Sequence, residues 1–79
     1  MDDEAHIEFR CFATLGGYQP ENADRFPVVP GETAGDVIRR VGLPLDEVNT
    51  VFVNGRQALM SQRLEPGDRI GVFPKVGGG

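Results

Sequence analysis

Residues 50–56 read TVFVNGR. TVFV alternates and is dominated by β-branched and aromatic residues, so it predicts a strand. Asn54-Gly55 is the strongest short hairpin signal in the chain, because both central residues of a type I′ turn take positive φ. A short return strand around Arg56 and Gln57 is expected next. Beyond it, ALMSQRL predicts an irregular or 3₁₀ crossover. EPGD predicts a type II turn, with Pro66 and Gly67 in its two central places. RIGVF, residues 69–73, reads as a strand that Pro74 stops.

Upstream of the hairpin, LDEVN reads as a loop. Before it, GETAGDVIRRVGLP carries the marks of one short helix. Thr33 is a good N-cap and Asp36, three residues on, completes a capping-box pattern. Ala34, Val37, Ile38 and Val41 form one apolar stripe. Gly42 suits a left-handed cap, and Pro44 prevents continuation. Further upstream, RFPVVP at 25–30 reads as a short strand whose prolines confine it to an edge. TLGGYQPENAD reads as a long loop. In HIEFRCFA, residues 6–13, Ile7, Phe9, Cys11 and Ala13 point one way and His6, Glu8, Arg10 and Phe12 the other, a half-buried strand. The order β-β-α-β-β-β predicts an α+β domain: a mixed sheet with one main helix packed on one face. The expected core is Ile7, Phe9, Cys11, Val28, Val37, Ile38, Val41, Val51, Val53, Leu64, Ile70 and Val72.

The 79 residues make one domain. Cys11 is the only cysteine and His6 the only histidine, so neither an intrachain disulfide nor a His/Cys metal site is available as a staple. The net charge is −4, and setting aside Asp2, Asp3 and Glu4 leaves nine acids against eight bases. The basic residues are scattered, which argues against nucleic acid as a partner. No apolar run approaches the roughly 20 residues of a membrane span. MDDEAH is acidic where a signal peptide would be basic and then apolar, and the single thiol fits a reducing compartment. A soluble cytoplasmic protein is expected.

Little in the sequence reads as catalysis. His6 falls on the polar face of the first strand, and Cys11 on its inward face, where a thiol behaves as a small apolar group. Asp46-Glu47 are sequence neighbours that diverge, not a catalytic pair. Leu15-Gly16-Gly17 lacks the spacing of a phosphate loop. Two features stand apart. Phe12 and Phe73 sit on polar strand faces and, if their strands are central, share the sheet face away from the helix, which suggests a partner surface. The second is the ending FPKVGGG. Glycines can thread a narrow channel, and a terminal glycine carboxylate has little steric cover.

VFVNGR, then a leucine, then PGDRIGVFPKVGGG resembles the ubiquitin-like sulfur-carrier proteins, among them the small subunit of molybdopterin synthase and the thiamine-biosynthesis sulfur carrier. The first strand ending in FATL also resembles the molybdopterin synthase subunit. The likeness runs from about residue 6 to 79. It departs in the long loop after Leu15, in Lys75 where a second proline is common, and in Gly77 as a third glycine. The resemblance implies a β-grasp fold over residues 6–74, between an acidic flexible N-terminus (1–5) and a flexible glycine-rich tail (75–79). It implies a carrier without an active site of its own. An E1-like adenylyltransferase, using ATP and magnesium, would adenylate the Gly79 carboxylate. A sulfur donor system would convert it to a thiocarboxylate, with no cofactor or metal bound by the carrier itself. Lys75, Val76, Gly77 and Gly78 would thread partner sites, and Phe12 and Phe73 would dock the activating enzyme. The final partner would be the large subunit of molybdopterin synthase, or thiazole synthase in a thiamine branch. A protein modifier joined to lysines through Gly79, or a β-grasp interaction module with an inert tail, are the rival readings.

Overall fold

In the computed structural model, which describes residues 5–75, Asn54 and Gly55 take φ of 54° and 83°. These are the two positive values a type I′ hairpin requires. The turn joins β3 (Val48–Val53) to β4 (Arg56–Ala58), with Val53 opposite Arg56 and Val51 opposite Ala58. The Asn54 side chain then ties the hairpin to the next turn. Its nitrogen donates to Asp68 Oδ1 at 2.9 Å, and its oxygen accepts from the Arg69 amide at 3.0 Å. Gly67, at φ 88°, supplies the positive φ of the expected type II turn.

That turn launches β5 (Arg69–Pro74) into the middle of the sheet. The strand order is β2-β1-β5-β3-β4. β1 (His6–Cys11) runs parallel to β5, with Cys11 opposite Val72. β3 runs antiparallel to β5, with Phe52 opposite Gly71. β2 (Phe26–Pro27) pairs antiparallel with β1 at the outer edge. The sheet is therefore mixed, with one main helix, α1 (Ala34–Val41), as the sequence predicts.

α1 forms where its ends can be satisfied. Thr33 Oγ1 accepts from the Asp36 amide and the Asp36 carboxylate accepts from the Thr33 amide, both at 3.1 Å, so the capping box is closed. Gly42 ends the helix at φ 97°. The crossover after β4 completes the N-terminal cap. Met60 and Gln62 carbonyls accept from the Gly35 and Ala34 amides, each at 2.8 Å. Gly35 allows this approach, since a Cβ there would lie 3.2 Å from the Met60 carbonyl oxygen. Arg40 ties the helix to the sheet edge. It donates to both Glu32 carboxylate oxygens, at 3.0 and 2.8 Å, and to the Pro27 carbonyl, and its guanidinium lies 4.8 Å from the Phe26 ring centre.

The core is the sandwich of α1 and the inward sheet face. Ile7, Phe9, Ile70 and Val72 meet Val37 and Ile38 there, all fully buried. Four expectations are corrected. Val41 is only partly buried, because it is the last helical residue at the edge of the core. Residues 14–24 are not a plain loop but contain 3₁₀ turns at Ala13–Tyr18 and Ala23–Arg25, the first of which buries Leu15 completely. β2 is two residues long, not six. Pro27 has no amide to donate, and past it, among the described residues, only the Val28 amide bonds back, to the Ala5 carbonyl. β3 starts at Val48, after a 3₁₀ turn at Leu45–Glu47, earlier than the TVFV motif suggested.

Candidate functional site

The outward face of the sheet is built by alternation. Inward Cys11, Val72, Val51 and Val53 force Phe12, Phe73 and Phe52 outward on the three central strands. Phe12 lies one residue past β1, but its amide still donates to the Val72 carbonyl at 3.0 Å, so it continues the ladder. Phe12 and Phe73 stack with ring centres 4.4 Å apart and planes 6° apart. Phe52 meets Phe73 edge-on, at 5.5 Å and 75°. Such pairs contribute about 0.5–1.5 kcal/mol beyond their burial.

Gly71 makes the stack possible. A Cβ there would lie 3.1 Å from Phe12 Cε2 and 3.6 Å from Phe73 Cε1, so the bare backbone is the floor on which the Phe12 ring rests. Phe12 nevertheless remains 42% exposed. The next residue shows how the chain achieves this. Ala13 holds φ 53°, an unusual value for a non-glycine residue that costs on the order of 1 kcal/mol. The reversal keeps Phe12 outside while Leu15, two residues on, drops into the core, where its burial contributes about 2 kcal/mol.

Two shallow grooves flank the rings. One, of about 520 Å³, runs over Gly71 toward Glu8, Arg10 and Arg69. The other, of about 620 Å³, lies past Phe52 and Phe73 toward Thr14, Thr50 and Lys75. The rim of the first is charged and mutually paired. Glu8 accepts from Arg10 at 2.9 Å and lies 3.6 Å from Arg69, while Arg10 also reaches Asp24 at 2.7 Å. The hydrogen bond to Glu8 holds the Arg10 guanidinium above its ordinary pKa, so it stays charged.

The sheet ladder extends one residue beyond β5. The Lys75 amide donates to the Glu47 carbonyl at 3.1 Å, and its side chain is exposed beside the second groove. The structure thus brings Phe12, Phe73 and Lys75 to one face and one end of the sheet. Val76, Gly77, Gly78 and Gly79, the remaining tail residues singled out from the sequence, lie outside the described residues. Phe52 is the ring that sequence reasoning missed. Its signal was present, since Val51 and Val53 point inward and the residue between them must point out, but its neighbours depend on strand order. Cys11 is buried, and burial pushes its thiol up in pKa, which disfavours the nucleophilic thiolate. Among the described residues, no three metal-ligating side chains come together, and no helix is long and apolar enough to cross a membrane.

Comparison with known proteins gives a consistent picture. Residues 4–77 match the family model described as Mut7-C ubiquitin. No curated protein matches the sequence. Among solved structures, the solution structure of the Haloferax volcanii HVO 2177 protein is 28% identical, with a TM-score of 0.72, covering 100% of this chain and 94% of that one. The crystal structure of small archaeal modifier protein 1 from the same organism is 26% identical, with a TM-score of 0.66, covering 91% of this chain and 99% of its own. Both agree with a β-grasp domain.

Proposed function

The chain belongs to the Mut7-C ubiquitin family, and from that premise we propose that it is a sulfur carrier working through its terminal carboxylate. In this reading an E1-like adenylyltransferase docks on Phe12, Phe52 and Phe73. It takes up the tail from Lys75 through Gly78 and adenylates Gly79 with ATP and magnesium. A carboxylate is a poor electrophile, whereas its mixed anhydride with AMP is a good one. Sulfur from a donor system displaces AMP and leaves a thiocarboxylate. The tail then enters the large subunit of a molybdopterin synthase, where the sulfur is delivered to a cofactor precursor. A thiazole synthase in thiamine biosynthesis would differ only as the enzyme at which the sulfur is delivered. The catalytic groups belong to the partners, and the carrier supplies a docking face and a reactive end.

The observation that carries this reading is the stacked Phe12–Phe73 pair on Gly71, at the end of the central strand that leads into the tail. Exposed aromatic rings on a flat sheet face are suitable anchors for a partner. Lys75 is pinned to Glu47 at that same end, so docking on the rings would set where the tail begins.

A second reading, a protein modifier joined to lysines through Gly79, is favoured by the name of the small archaeal modifier it resembles. One experiment separates the two. The chain is incubated with ATP, magnesium, a sulfur source and its activating enzyme, and its intact mass and C-terminal fragments are read. Replacement of one oxygen by sulfur on Gly79 supports the carrier. An enzyme that releases AMP without that replacement, with isopeptides to lysines of other proteins in extract, supports the modifier and overturns the carrier.

A further inference from the structure

Asn54-Gly55 is the one place in the sequence where an asparagine precedes a glycine; Asn22 and Asn49 precede Ala23 and Thr50. The pair has a chemistry of its own. A backbone amide nitrogen can attack the side-chain carbonyl carbon of the asparagine before it, and glycine, having no side chain, hinders that approach least. Asn54 and Gly55 are both exposed, so water reaches them.

The hairpin holds the reacting atoms apart. Closing a succinimide ring requires the Gly55 nitrogen to eclipse the Asn54 Cβ about the Cα–C bond. A type I′ turn sets ψ of its first central residue at roughly +30°, which puts that nitrogen nearly opposite Cβ. Asn54 is also gripped at its backbone and at both side-chain polar atoms. Its amide donates to the Arg69 carbonyl at 2.8 Å, Nδ2 donates to Asp68 Oδ1 at 2.9 Å, and Oδ1 accepts from the Arg69 amide at 3.0 Å. Asp68 is held in turn, because its Oδ2 accepts from the Glu65 amide at 2.8 Å. Neither the Asn54 side chain nor the Gly55 peptide plane can turn for attack without breaking this grip.

We infer that Asn54 is a deamidation site that the fold holds shut, modified only in molecules whose β3–β4 turn has opened. In an opened turn the Gly55 nitrogen gives its proton to water and bonds to Asn54 Cγ. The Cγ–Nδ2 bond breaks, and that nitrogen takes up a proton and leaves as ammonia. Water then adds to either imide carbonyl and breaks its bond to the ring nitrogen, leaving aspartate or isoaspartate. One water enters, one ammonia leaves, and nothing is oxidised or reduced.

Neither product can restore the grip. Each sets an ionised carboxylate, which only accepts, against the Asp68 carboxylate where an amide donated. Isoaspartate also adds a methylene to the backbone of a turn whose two residues set the pairing of Val53 with Arg56. A single opening is thereby recorded permanently. Gly55 and Arg69 line the first groove, so the new charge arises beside the proposed docking face.

The test holds the full chain at one mildly alkaline pH and temperature, native in one sample and unfolded by urea in another. Peptide mapping follows the aspartate and isoaspartate forms at position 54. The unfolded chain should convert, and the native chain should convert at least about tenfold more slowly. That factor should match, within a few-fold, the protection of the Asn54 and Arg69 amides against hydrogen exchange, since both read the same opening. Asp68→Ala removes the partner of Nδ2 and should raise the native rate several-fold while circular dichroism shows a folded chain; where that variant unfolds, the match between deamidation and exchange in the wild type decides alone. Equal rates in the native and unfolded chains, conversion in neither, a slowing unrelated to exchange protection, or an unchanged rate in folded Asp68→Ala overturns the inference.

Discussion

Replacing Gly71 by valine should separate the proposed docking face from the fold. Gly71 lies on the central strand and its φ is outside the positive region, so a side chain fits the backbone. Its space is another matter. The first added carbon would sit 3.1 Å from Phe12 Cε2, and the two valine methyls would extend further into the stack. Phe12 is 42% exposed, so its ring can swing off the sheet without disturbing the core. The fold loses about 0.5–1.5 kcal/mol of ring pairing. It regains roughly 0.5–1 kcal/mol from relieving the strand of a glycine and adding a β-branched residue. The net change should stay within about 1 kcal/mol, a shift of at most about 8 °C in Tm for a domain of this size. Affinity for the activating enzyme should fall by more than about fivefold, corresponding to loss of an anchor worth over 1 kcal/mol. Calorimetric binding beside a thermal melt reads both. Alanine, which asks Phe12 to move only a few tenths of an ångström, should fall between. Unchanged affinity in a folded valine variant would refute the idea that the flat glycine floor shapes the docking face.

Phe73→Ala removes the ring that touches both Phe12 and Phe52, and should weaken binding by more than about 1 kcal/mol, as read by titration against the activating enzyme. Leu15→Ala should cost about 2–5 kcal/mol in denaturant unfolding, which a surface-loop leucine would not. Cys11→Ser buries a hydroxyl in apolar surroundings and should cost about 1–3 kcal/mol while leaving sulfur transfer intact; lost transfer at a normal Tm would make that thiol chemical. Arg40 holds the Glu32 carboxyl below its ordinary pKa, so the folded state binds fewer protons than the unfolded chain in that range. Stability from this pair is full above the unfolded glutamate value, about 4.3, and is lost as pH falls through the lower folded value. Glu32→Gln, which cannot titrate, should show a shallower decline in Tm over that acid window.

The parts of the fold legible in the sequence are those fixed by backbone chemistry at single residues. Thr33 with Asp36, Gly42, Asn54-Gly55 and Pro66-Gly67 each specify a cap or a turn, and each takes the conformation its residue type demands. Alternation within β1, β3 and β5 sorts inward from outward residues, but Ala13, expected inward, lies past the end of β1 at Cys11 and is exposed, because the chain reverses there at φ 53°. What stayed hidden depends on contacts between distant segments. Leu15 lies among glycines and polar residues, and its burial follows from the reversal at Ala13, which no local pattern announces. Phe26 reads as a strand residue, yet it packs 5.8 Å from Phe9 beneath Arg40, three segments that meet only in the fold. The candidate site behaves the same way. Each phenylalanine is legible as outward, but the floor at Gly71 and the membership of Phe52 emerge only once β5 lies between β1 and β3.

The central position of β5 also has a kinetic side. The strand that unites the sheet is the last of the five along the chain, and its partner β1 is the first. Pairings of such long sequence separation form slowly, because loop closure precedes the contacts that reward it. A nascent or truncated chain that lacks residues 69–74 leaves β1 and β3 as separate fragments with bare edges. Placement of Lys75 is then conditional on a finished fold, since the strand that leads to it is the one that completes the sheet. A partner that reads Phe12 and Phe73 together is in effect proofreading, because those rings come together only after the first and last strands have paired.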